Sequence, residues 1–187
     1  MRRRHVLGTL AGAVAGGIAG CSGSASETPE AFVVSSPPLD GTQLPVRFTC
    51  AGAGRSPPFT IERVPEPTAA LAVTAEYDRG LINEPVFWTL WNIPADTDQI
   101  PEHLPRTATL SSLGGARQGR QQGGEPGYEP PCPPEGQPYE HRFQVYALGE
   151  TLSIEGGTDH DTATEAIGNA VLASRRFTVE FTRPTTP

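Results

Sequence analysis

Apolar and polar positions alternate with a period of two along several short stretches of this chain, and with a helical period along one. In residues 142–148, Phe143, Val145 and Ala147 alternate with Gln144, Tyr146 and Leu148, the pattern of a strand with buried faces. Phe177, Val179 and Phe181 alternate with Thr178, Glu180 and Thr182, which predicts a last strand over residues 176–182 with one wet face. Residues 86–93, VFWTLWNI, are apolar on both faces and read as a central strand. Shorter strands are expected at 32–35, 46–50, 59–62 and 69–76. One helix is expected, because Ala163, Ala166, Ile167, Ala170 and Val171 share a face at helical spacing behind the capping box Thr162-Ala163-Thr164-Glu165. Residues 94–122 have little periodicity and many turn formers, and read as a long surface connection. The expected fold class is mainly β with few helices.

Ahead of the strand at 142–148 lies a loop carrying Pro130, Pro131, Pro133 and Pro134 between Gly127 and Gly136. Proline fixes φ and removes a backbone donor, so this stretch is neither helix nor central strand. A stiff loop feeding a core strand holds the side chain at the junction in one place. That side chain is His141, which by parity shares a strand face with Phe143. Its two readings are a ligand-contacting group and a core histidine that holds the loop in shape.

The ends of the chain read differently. Arg2, Arg3 and Arg4 precede an uncharged run of small residues that closes on Ile18-Ala19-Gly20-Cys21. The run falls short of the roughly 20 apolar residues a membrane span needs, and has the charged start and small-residue end of an export signal. Arg3-Arg4 fits a twin-arginine leader and Ile-Ala-Gly-Cys a lipobox, so residues 1–20 are expected to be removed and Cys21 to carry lipid. Residues 21–31 then form a polar, non-periodic tether with a reach of about 18 Å. Residues 32–183 are expected to form one domain and 184–187 a disordered tail. The expected location is the outer face of the cytoplasmic membrane.

Of the 187 residues, 14 are basic, all of them Arg, and 21 are acidic, giving a formal charge of −7. Losing Arg2 to Arg4 with the leader leaves 11 Arg against 21 acids, a charge of −10. Such a surface repels phosphate backbones, so no nucleic-acid partner is expected, and it repels anionic headgroups, so the membrane link falls to the lipid. An acidic surface without lysine also suggests a salt-adapted, halophilic habitat.

With Cys21 lipidated, Cys50 and Cys132 remain, either as a disulfide in an exported chain or as two thiols packed under the loop. Asp159-His160-Asp161 has metal-binding residue types, but acids at a helix start are favoured by capping and by the helix dipole, and no further ligands stand nearby. No metal or cofactor is predicted. Ser56, Ser111 and Ser112 lie outside any nucleophile-elbow context, so no enzymatic activity is predicted either.

Several short motifs, in one order, give the chain a resemblance. Phe48-Thr49-Cys50-Ala51-Gly52 with Ser56-Pro57-Pro58, Trp88 with Asn92-Ile93-Pro94-Ala95-Asp96, Ala116 with Gln118-Gly119, and Pro131-Cys132-Pro133-Pro134 followed by His141-Arg142-Phe143 span about residues 32–181. The chain resembles the phosphatidylethanolamine-binding protein family in its prokaryotic Raf-kinase-inhibitor-like branch. The resemblance implies a central, largely antiparallel sheet, a second smaller sheet and a C-terminal helix. It also implies a pocket that takes phosphate-like anions through an Asp of a D-P-D-x-P turn, a His before the central Trp, and the His and Tyr of an H-R-Y run. Here the strand His is replaced by Phe87 and the H-R-Y Tyr by Phe143, while His141 is kept. Ungapped counting puts Tyr77 at the Asp position, and a shift of one residue puts Asp78 there. The expected ligand-binding set is therefore Asp78, Phe87, Pro133, His141 and Phe143. A site that has lost hydrogen-bonding groups to aromatics suits a small or partly apolar ligand better than a phosphate. The alternative is a protein-interaction or inhibitor module, since the family includes members that resemble inhibitors of kinases and serine proteases.

Overall fold

The computed structural model describes residues 31–78, 85–121 and 124–185. The leader, Cys21, most of the tether, Thr186 and Pro187 lie outside the described residues. Among the described residues nine strands form two sheets. The smaller has the order β1 (Val33–Ser35), β2 (Phe59–Arg63), β5 (Gln99–Ile100). The larger has the order β6 (Thr109–Leu110), β7 (Ala116–Gln118), β4 (Val86–Pro94), β3 (Ala70–Asp78), β8 (Pro138–Leu148), β9 (Val171–Thr182). All ladder pairings between these strands are antiparallel. Among the described residues one α-helix, α1 (His160–Ala170), precedes the last strand.

Period-two alternation sets which face of β8 is dry. His141, Phe143, Val145 and Ala147 are buried and the residues between them are half-buried. Phe143, Val145 and Ala147 pack with residues of the small sheet in a core that includes Phe48, Phe59, Trp88 and Phe177. Burying one such apolar side chain fully contributes about 1.5–3 kcal/mol, so the ring cluster dominates this core. The opposite face meets α1 through Ala72, Trp91 and Leu148, against Ala163, Ile167 and Ala170. On β9, Phe177, Val179 and Phe181 are buried while Thr178 and Thr182 are exposed, as the sequence alternation predicts.

Three expectations are corrected. Residues 46–50 are no strand: Val46–Phe48 is a single 3-10 turn begun by Pro45, with the Thr49 hydroxyl donating to the Val46 carbonyl at 2.9 Å. The turn leaves Val46 50% exposed and buries Phe48 alone, which alternation along a strand would not do. Residues 94–122 are not one surface connection, since they supply β5 to the small sheet and β6 and β7 to the large one. Gln118 ties them down, its side chain accepting from Trp88 Nε1 at 3.0 Å and donating to the carbonyls of Pro105 and Thr107 at 2.8 and 2.9 Å. The helix cap stands three residues before the expected box: Asp159 accepts from the Thr162 N–H at 3.0 Å and from its hydroxyl at 3.0 Å. Val171 accordingly leaves the helical face and opens β9 exposed.

Candidate functional site

The site is built where β3, β4 and β8 meet the proline-rich loop. The β3–β4 ladder pairs Ala75 with Trp88 but Glu76 with Val86, so Phe87 is the extra residue of a β-bulge. A bulge re-aims side chains, and here it lets the consecutive residues Phe87 and Trp88 both enter the core between the sheets. Phe87 makes edge contacts with Phe143 (5.6 Å between ring centroids), His141 (5.9 Å), Tyr128 (5.9 Å) and Tyr77 (5.4 Å).

The loop is held over these rings at several points. The Phe87 carbonyl accepts from the Glu129 N–H at 2.9 Å, and the Tyr128 hydroxyl donates to the Phe48 carbonyl at 2.7 Å. Burial, and to a smaller degree Tyr77, holds the Tyr128 phenol well above its ordinary pKa. The Cys132 N–H donates to the Tyr77 hydroxyl at 2.9 Å, and the Cys50 N–H to the Pro131 carbonyl at 3.2 Å. A disulfide joins Cys50 to Cys132 with their Cα atoms 5.3 Å apart. Gly54, at φ +62°, lets the chain pass close to the loop, since a Cβ there would come within 2.7 Å of the Pro130 ring.

Two adjoining hollows open beside this loop. One, of about 180 Å³, is lined by Tyr77, Phe87, Pro130 and Cys132 together with Glu129. The other, of about 210 Å³, is lined by Tyr77, Cys132, Pro133, Pro134 and Tyr139. Tyr77, Pro85 and Cys132 belong to both. No Arg or His stands among the described residues lining either.

The structure divides the expected ligand set. Phe87 and Pro133 line the hollows. His141 and Phe143 converge on Phe87 but are 0% exposed and line neither hollow; Tyr77, with its ring centroid 4.9 Å from that of His141, stands between. Neither His141 ring nitrogen makes a well-formed hydrogen bond, and burial lowers its pKa to about 4, a shift that weak contacts with the backbone of Tyr139 and of Val179 oppose only in part. The ring is therefore neutral at pH 7.

Asp78 is a correction. The β3–β8 ladder pairs Tyr77 with His141 and Asp78 with Glu140, so Asp78 projects from the other face of the sheet. There its carboxylate accepts from Arg142 Nε at 3.1 Å and pairs with Nη2, alongside the Glu76–Arg142 contact at 2.8 Å. The residue facing the site at this point is Tyr77. Tyr139 and Glu129 were missed by the sequence reading. For Tyr139 the signal was available, since it lies two residues before His141 on the same strand face. For Glu129 there was none.

A two-sheet β domain with a small hollow between a bulged central strand and a stapled proline-rich loop defines the class. The family description "Phosphatidylethanolamine-binding protein" matches residues 34–182, and the chain belongs to that family. A UPF0098 protein of Pyrococcus abyssi is 30% identical over 154 residues, covering 82% of this chain and 85% of the relative. The crystal structure of Escherichia coli YbcL, described as a new member of the mammalian PEBP family, superposes with a TM-score of 0.73 at 29% identity, covering 81% of this chain and 98% of that one. A Mycobacterium tuberculosis protein described as a candidate lipoprotein, LppC, is 28% identical over 187 residues, covering 89% of each chain.

Proposed function

We propose that this chain is an extracytoplasmic binding module, tethered to the membrane by lipid on Cys21, whose pocket takes a small, partly apolar ligand in place of a phosphate-like anion. The function is recognition and not catalysis. One observation carries the reading: the described walls of both hollows hold aromatic and proline surface with Glu129 and no cationic group. The neighbouring histidine is sealed behind Tyr77 and uncharged. An anion placed there would lose its hydration without gaining a charged hydrogen-bond donor from the described walls, at a cost of several kcal/mol.

The tethering rests on the leader and lipobox pattern and draws support from the likeness to LppC. A disulfide between Cys50 and Cys132 fits an oxidising compartment. Among the described residues no helix is long and apolar enough to cross a membrane.

Native mass spectrometry of protein extracted from membranes tests the reading. A retained small molecule, displaced on denaturation, is expected. A preparation that carries nothing and instead captures a protease or kinase would favour the interaction-module alternative.

A further inference from the structure

Two tyrosine rings meet almost at right angles beside the larger hollow. Tyr77 and Tyr139 have ring centroids 6.4 Å apart and planes inclined at 85°, and both line the space of about 210 Å³ with Pro133 and Pro134. The fold dictates this meeting. Tyr77 pairs with His141, two residues from Tyr139 on β8, so both tyrosines leave the same face of the sheet. The adjoining hollow shares Tyr77 and brings Phe87 and Glu129.

We propose that the Tyr77–Tyr139 hollow is a cage for a quaternary or methylated ammonium group. An aromatic ring carries a negative face that attracts a cation, and both Tyr77 and Tyr139 border this hollow. The prolines offer apolar surface to the methyl groups, and Glu129 next door balances the charge. The formal charge of the whole chain, −7, raises the local concentration of cations. At about 180 and 210 Å³ the two hollows fall below the roughly 300–1,000 Å³ of drug-sized sites, so they fit a headgroup-sized moiety. This inference rests on the pocket reading above and adds the chemistry of the ligand.

The test is calorimetric titration of the full chain with choline chloride, with 3,3-dimethylbutan-1-ol as the uncharged analogue of the same shape, and with inorganic phosphate. Choline is expected to saturate the site and the alcohol to bind more weakly, by about two- to thirtyfold, the span of measured cation–π contributions. Tyr139→Leu and Glu129→Gln should each weaken choline several-fold and leave the alcohol unchanged, while Tyr139→Phe, which keeps the ring, should stay close to wild type. If Tyr139→Leu fails to fold, the contrast of Tyr139→Phe with Glu129→Gln serves in its place. Equal binding of choline and the alcohol, with no effect of either substitution, overturns the cage and leaves the pocket reading standing. No choline binding at millimolar concentration also overturns the cage. Saturable phosphate binding overturns the pocket reading itself. If choline binds, competition with phosphatidylcholine vesicles tells a lipid headgroup from a free solute, and either source satisfies the proposal.

Discussion

Tyr77 and His141 face each other across the β3–β8 ladder with ring centroids 4.9 Å apart, and the Tyr77 hydroxyl takes the N–H of Cys132. One residue thus seals the buried imidazole and props the loop that carries the disulfide. The character of the pocket follows from this pairing, because the titratable ring sits behind a phenol and never reaches the hollow.

The burial of His141 has a pH signature. Its folded pKa, about 4, lies below the unfolded value near 6.5, so the unfolded state binds the proton first as pH falls. Stability due to the neutral ring is complete above pH 6.5 and drains away down to pH 4, by about 3 kcal/mol in total. His141→Leu, which also removes two buried ring nitrogens that lack a well-formed hydrogen bond, should flatten urea midpoints across this window and cost no more than about 1 kcal/mol at pH 7. An unchanged slope in the variant would show that the proton goes elsewhere.

The disulfide closes a span of 82 residues between the Phe48 turn and the loop. Thiol titration of denatured, unreduced Cys21→Ser protein should find no reactive cysteine, and two would exclude the bridge. Cys50→Ser with Cys132→Ser should lower stability by about 2–4 kcal/mol in denaturant unfolding.

Asn92 occupies the left-handed region at φ +55°, and its side chain bonds the Leu152 backbone twice, accepting from the N–H at 2.8 Å and donating to the carbonyl at 2.9 Å. Asn92→Ala loses both bonds and strains the backbone, with an expected cost of about 2–3 kcal/mol. Asn92→Gly keeps the conformation and should cost about 1 kcal/mol less. Equal losses would mean that φ is irrelevant there.

The acidic balance predicts a salt response. If the surface is adapted to high salt, the denaturation midpoint should rise steadily as screening suppresses repulsion among the 21 acidic side chains. A midpoint indifferent to salt removes the halophilic reading.

Much of the fold was legible because β8 and β9 are long enough to show their period, and because α1 carries a clear apolar stripe. The elements between residues 94 and 122 were not, since strands of two or three residues have no period to display. The segment at 46–48 contains strand-forming residues, and Pro45 with the Thr49 hydroxyl bends it into a turn. At the site, the bulge that places Phe87 and Trp88 in one core leaves no mark in the sequence. The choice between Tyr77 and Asp78 was a question of parity, and only the register with His141 decides it.

On the proposed reading, the aromatic rings at positions 87 and 143 leave this pocket without a hold on phosphate-like anions. Titration of inorganic phosphate and phosphorylethanolamine into the wild-type protein at neutral pH, beside Phe87→His, decides the point. No saturation at millimolar concentrations is expected for the wild type, with a gain in affinity for the variant; saturable wild-type binding at millimolar or tighter overturns the reading.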